Sequence, residues 1–198
     1  MARSNGFARR MGKVALALAV LGATIAVAYV LGAKAAELVQ NKRARERRAA
    51  NSLAALHDMK PGIALGNSLP DGVLENLEGD EVYLHDLVSN SSVISFIRHD
   101  CPYCQAQLRS VKKIAKTAEE EGRFILISLS DPTDLWAMRD EFKIQSPILY
   151  DRDTHYNANV GVAAVPFNFI VDRDLRIQQV VSGPMTEDEI AGIINANK

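Results

Sequence analysis

Cysteine is almost absent from this chain of 198 residues. The two that occur, Cys101 and Cys104, form a single C-x-x-C. A disulfide-stapled scaffold is therefore excluded, and so is a closed four-cysteine zinc site. Charge is missing from residues 14–33, a run of twenty apolar or small residues. Glycine and proline are missing from residues 35–59. A large net charge is missing too, but the total of −1 hides a division. Residues 1–50 hold ten Lys/Arg against two Asp/Glu, whereas the remainder holds 13 against 22. An acidic body behind a basic leader argues against a nucleic-acid domain. What is present is an ordinary globular balance, 47% hydrophobic and 24% charged, which rules out wholesale disorder. No internal repeat or low-complexity segment stands out beyond the alanine-rich run.

The absences divide the chain into a basic tail (1–13), an apolar span (14–33), a basic helical stalk (34–61) and a body (62–198). A helix of twenty residues is about 30 Å long, the thickness of a bilayer core, so 14–33 reads as one transmembrane helix. Ala33-Lys34-Ala35 offers a signal-cleavage pattern, but the run exceeds the usual signal core, and an uncleaved anchor is the preferred reading. Four Lys/Arg precede the run and six follow it, so a plain positive-inside count places the C-terminal side in the cytoplasm. The stalk has only a thin apolar stripe of Leu38, Leu53, Ala54 and Leu56, and Pro61-Gly62 ends it.

In the body, 73–77 and 81–84 flank Glu78-Gly79-Asp80 as a hairpin. Residues 93–97 and 124–129 read as buried strands joined by one helix over 102–121, with Val111, Ile114, Ala115 and Ala118 as its core stripe. A helix follows Asp131-Pro132. Then come a short strand at 147–150, a short helix at 153–160, a hairpin of 167–171 and 175–181, and a last helix capped by Thr186. Strand–helix–strand requires a parallel crossover and the closing hairpin adds antiparallel strands. The expected fold is α/β, a mixed central sheet with helices on both faces.

The cysteine pair falls where a central strand ends and a helix begins. There the first thiol lies beside unpaired backbone N–H groups and the positive end of the helix dipole, which favour thiolate. Pro102 suits the first helical turn. The second thiol can close onto the first, and this is the minimum apparatus for thiol–disulfide exchange. Half of a metal site, or an inert pair, is the alternative. Arg98 and His99 are placed to stabilise a thiolate at Cys101, and Asp100 to oppose it, although alternation at a strand end keeps all three from facing the sulfur. His57 and His85 read as surface or satisfied histidines, and His155 as a remote metal-ligand candidate. Pro166 opens a strand, as a proline does at an edge or after a cis bond.

The order and spacing of these features resemble the membrane-anchored TlpA/ResA-like thioredoxins of bacteria, within the thioredoxin superfamily. The resemblance covers residues 64–197 and rests on Leu69-Pro70-Asp71 and its hairpin, Leu84-His85-Asp86-Leu87, Ser95-Phe96, and Cys101-Pro102-Tyr103-Cys104. It continues through Ile148-Leu149-Tyr150-Asp151, Val165-Pro166-Phe167, Ile170-Val171-Asp172-Arg173-Asp174 and Gly183-Pro184-Met185-Thr186. It implies a thioredoxin fold with an N-terminal hairpin extension, Cys101 as attacking thiol, Cys104 as resolving thiol, and Pro166 as a cis-proline against the disulfide. It implies no cofactor beyond the Cys101–Cys104 disulfide, and no metal. Expected partners are protein thiols and disulfides, as in cytochrome c maturation, with a membrane thiol carrier as electron donor. The expected location is the bacterial inner membrane, with the domain on the extracytoplasmic side, opposite to the plain charge count.

Three positions depart from the family pattern: Asp100 for tryptophan, Gln107 for an acid found in some members, and Val165 for threonine. Tyr103 after Pro102 resembles glutaredoxins. A related branch matures methylamine dehydrogenase. A peroxiredoxin-like peroxidase is a rival, but its threonine and proline are replaced by Arg98 and Ile94. A copper chaperone is another, although its two cysteines stand one residue further apart.

Overall fold

A computed structural model of the chain describes the backbone of residues 4–57, 63–89 and 91–196. Side chains are described from residue 26 onward within these segments, apart from 49, 52, 53, 56 and 57. The chain divides into two compact units, 1–47 and 48–198. The first consists of most of one long helix, α1 (Ser4–His57). Among the described residues no helix is long and apolar enough to cross a membrane. The side chains of residues 14–25 of the expected span and of His57, and all of Pro61-Gly62, lie outside what is described.

The second unit carries β1 (Val73–Asn76), β2 (Glu81–Tyr83), α2 (Leu84–Leu87), β3 (Ser92–Ile97), α3 (Pro102–Ile114), α4 (Ala118–Gly122) and β4 (Phe124–Ser128). It continues with α5 (Pro132–Phe142), β5 (Ile148–Tyr150), α6 (His155–Val160), β6 (Phe167–Val171), β7 (Ile177–Ser182) and α7 (Glu187–Asn195). The strands form one seven-stranded sheet in the order β2-β1-β5-β4-β3-β6-β7. β3, β4 and β5 are parallel, and β1, β6 and β7 join antiparallel. This is the mixed sheet that the crossover and the closing hairpin require.

Alternation along the strands builds two cores. Ile94, Phe96, Ile125, Ile127 and Phe169 face Tyr156 and Val160 of α6, Leu84 of α2, and the chain before β1 at Ile63 and Leu69. Gly72 belongs to this face by necessity, because a Cβ there would sit 2.3 Å from the Tyr156 ring. On the opposite face, Val93, Phe124 and Ile170 pack under α3 and α7, and Ile97 and Leu126 under α3 and α5. The segment before β1 also crosses to the far edge of the sheet. Gly66 and Leu69 donate N–H groups to Ile177 and Leu175, and Ser68 bridges Arg176.

The expected single helix over 102–121 is two helices. α3 stops at Ala115, and Thr117, in extended conformation, caps α4 by accepting the Glu120 N–H. The core stripe ends with Ala115; Ala118 is exposed. Leu84 leaves the expected strand to open α2. The last helix starts as expected, with Thr186 and Glu189 forming a reciprocal capping box.

Candidate active site

β3 is buried along its whole length and delivers the chain to the rim of the sheet at Ile97. A three-residue loop follows, and Cys101 becomes the N-cap of α3 with Pro102 in the first turn. The Cys104 N–H donates to Cys101 Sγ at 3.3 Å, so the sulfur fills the role an oxygen has in an ordinary cap. Cys101 Sγ in turn donates to the Val165 carbonyl at 3.7 Å. Val165 leads into Pro166 through a cis peptide bond, as the resemblance implies. Cys101 and the proline loop thus meet although sixty-odd residues separate them in sequence.

The two thiols differ in setting. Cys101 is half-buried, whereas Cys104 is fully buried among Ile97, Leu108, Leu126, Leu135 and Met138. Burial first, and then the hydrogen bond with Cys101, push the Cys104 thiol from the ordinary 9.0 up to about 12, against the pull of the Arg98 backbone N–H. Both cysteines are free thiols.

The neighbours separate into groups. Arg98 reaches Asp100 at 2.8 Å, so the two opposing charges expected to act on Cys101 engage each other. His99 turns away from that pair: its Nε2 lies 3.5 Å from Asp134 Oδ2 on α5. Tyr103 and Pro102 are exposed at the mouth. Val165 is half-buried and packs against the cores on both faces of the sheet. His85 sits outside the site. Its hydrogen bond to Asp71, reinforced by the charges of Asp71 and Asp86, raises its pKa above the usual histidine value. His155 is exposed and lines a hollow with Glu75, Glu81 and Asp151 by β1 and β5, so it is not brought to the cysteines. Among the described residues no group of three side chains is arranged to hold a metal.

Gln107 is where the structure adds most. It is buried one turn behind Cys104 and belongs to a polar cluster under the site. Its Nε2 donates to Asn168 Oδ1 at 2.7 Å and Ser95 Oγ at 3.2 Å, and its Oε1 accepts the Met185 N–H at 3.0 Å. Ser95 donates to Asn168 at 2.6 Å, and Asn168 donates to the carbonyls of Val181 and Gly183. Sequence reading gave Ser95 and Asn168 no role in the site. Their signal was a lone polar residue inside each of two buried strands, at positions that pair directly, Ser95 opposite Asn168.

Comparison with known proteins follows the same lines. Residues 64–195 match the family model described as Redoxin. The thiol-disulfide oxidoreductase ResA of Geobacillus thermodenitrificans is 26% identical over 133 residues, which cover 66% of this chain and 76% of that protein. ResA of Bacillus anthracis is 22% identical over 137 residues, 68% of this chain and 79% of the relative. Among solved structures, a secreted Mycobacterium tuberculosis disulfide oxidoreductase homologous to E. coli DsbE superposes with a TM-score of 0.52 at 19% identity, covering 63% of this chain and 95% of that one. A putative protein disulfide isomerase from Bacteroides thetaiotaomicron gives 0.56 at 18% identity, over 68% and 88%. At such identities the structures speak for the fold, which is thioredoxin-like.

Proposed function

The chain belongs to the redoxin family, and from that premise we propose that it is a thiol–disulfide oxidoreductase acting on other proteins through Cys101 and Cys104. One observation carries the reading: a half-buried thiol caps a helix, touches the proline loop, and has a second, fully buried thiol one turn behind it. Cys101 attacks a substrate disulfide and forms a mixed disulfide. Cys104 then attacks Cys101, the substrate leaves reduced, and the pair is left oxidised. Exposed Tyr103 and the Val165 carbonyl flank the sulfur that a polypeptide substrate must reach.

The charge-free run at 14–33 supports a membrane anchor; the family resemblance, against the plain count of flanking Lys/Arg, is the ground for a place in the bacterial inner membrane with the domain on the extracytoplasmic side. A membrane thiol carrier is then the electron donor, and cytochrome c maturation a process that the enzyme serves. No cofactor beyond the dithiol is required by the two-step exchange.

The test is a covalent trap. Cys104→Ser leaves the attacking thiol but removes the resolving one, so mixed disulfides should accumulate in native membranes and vanish with dithiothreitol. Cys101→Ser should trap little, because Cys104 is buried. Sulfenic acid at Cys101 after peroxide, with no protein adducts, would instead identify a peroxidase.

A further inference from the structure

The exchange proposed above needs Cys101 and the proline loop to keep one relative position, and the present inference rests on that exchange. Cys104 lies in α3 and Cys101 caps it, whereas Pro166 leads into β6. β6 is held by β3 on one side and β7 on the other. Those ladder bonds lie in the plane of the sheet, so they leave open how β6 sits relative to a helix on its face. Val111 and Ile170 share one apolar cluster across that layer, and Leu108 and Val165 share another. Burial of apolar surface has no direction, so it brings the layers together without setting their register.

Directional bonds cross the layer at Gln107. Its Nε2 donates to Asn168 Oδ1 at 2.7 Å, and Asn168 Nδ2 donates back to Gln107 Oε1 at 3.2 Å, so the two amides form a reciprocal pair. Each end of the pair is tied to one half of the site. Gln107 follows Cys104 by one turn of α3. Asn168 stands two residues beyond Pro166 and also donates to the Gly183 carbonyl at 3.0 Å, while the Gly183 N–H returns to the Pro166 carbonyl at 2.9 Å. The circuit closes at the mouth, where Cys101 Sγ meets the Val165 carbonyl at 3.7 Å. Ser95 joins the cluster from β3 but is not itself the link between α3 and β6. All three side chains are buried and neutral. Apolar side chains of similar shape at all three positions would serve stability about as well, so stability alone does not call for amides here. A satisfied buried pair adds direction.

We infer that Gln107 and Asn168 are positioning residues for the exchange: their amide pair fixes the proline loop against Cys101, so that a polypeptide disulfide lying along the Val165 side meets the sulfur aligned for attack. A small disulfide, which touches little beyond the sulfur, makes no use of that alignment. The pair therefore acts on which disulfides are reduced, beyond its part in holding the fold together.

The test uses the reduced full-length protein in detergent and two disulfides that release the same coloured nitroaryl thiolate. One is the symmetrical nitroaryl disulfide; the other is a short unstructured peptide whose single cysteine carries the nitroaryl thiol. The first release from each reports attack by Cys101. Gln107→Leu should leave attack on the small disulfide within about twofold and slow attack on the peptide by about 10-fold, the scale of a modest misalignment. Asn168→Leu should reproduce that split, and the double variant should add little to it, because both substitutions remove the same pair. Ser95→Ala, which takes a hydroxyl from the cluster and leaves the pair, should keep the wild-type ratio of the two rates. If Gln107→Leu does not fold, Gln107→Asn carries the same test, since it keeps an amide but is one methylene shorter. Equal slowing on both disulfides is what a merely destabilised protein gives, and it overturns the inference. An unchanged ratio in Gln107→Leu, losses that add in full in the double variant, or an equal split in Ser95→Ala overturn it too. A wild-type protein that releases thiolate from neither disulfide overturns the exchange itself.

Discussion

Two thiols three residues apart differ in setting, because one faces the mouth and the other faces the core. Iodoacetamide at neutral pH should therefore label Cys101 well before Cys104, and peptide mapping after timed quenching reads the order. Equal rates would mean that Cys104 is not buried as described. The same burial makes stability depend on pH. Folded Cys104 keeps its proton to about 12, whereas an unfolded thiol loses it near 9.0. The raised value means that its contribution is present below pH 9 and is lost progressively as pH rises toward 12. Urea midpoints of the reduced protein should fall across that window, and Cys104→Ala should fall less. The cysteine pair was legible from composition and context alone. The pairing of Arg98 with Asp100 was not, because spacing of two residues in an irregular loop says nothing about which side chains meet. Asp134 was equally hidden: it lies on another helix, and only the packing of α5 beside α3 brings it to His99.

The elements that the sequence announced best are those with unbroken apolar runs. β3 and β4 were read almost to the residue, and the capping box of α7 was read outright. The break between α3 and α4 escaped because no glycine or proline marks it. α3 ends at Ala115, and Thr117 caps the next helix through its hydroxyl, a signal that competes with a continuing apolar stripe. The chain before β1 was not read as paired at all, since it touches β7 through scattered backbone bonds rather than a regular strand. Between the elements, Gln107 fastens α3 to β6 and to the turn that opens α7. Gln107→Leu would leave Asn168 and the Met185 N–H without that partner, at about 1–3 kcal/mol for each group left unsatisfied. A lower urea midpoint with an unchanged slope is the expected outcome; an unchanged midpoint would show that the cluster is replaced without loss.

At the scale of the whole molecule, the body is the unit from residue 48 onward. Arg48 donates to the Pro184 carbonyl and approaches Glu189 at 3.7 Å, and Ala55 packs against the core. A fragment of residues 48–198 should be soluble, unfold cooperatively and retain exchange activity. One beginning at residue 61 should also fold, less stable by about 1 kcal/mol, the scale of one hydrogen bond and a partly exposed ion pair. Loss of cooperative unfolding in the shorter fragment would make residues 48–60 indispensable to the domain. The chain from Ile63 to Leu69 bears on assembly rather than stability. It is sewn to residues 175–177 before it enters β1, so its partners are made more than a hundred residues later. Closing a loop of that length costs entropy that local helices do not repay, so these contacts belong to the late steps of folding. Until β7 exists the strip has nothing to pair with, and a chain emerging N-terminus first must wait for nearly its whole length before the first segment of the body can take its place.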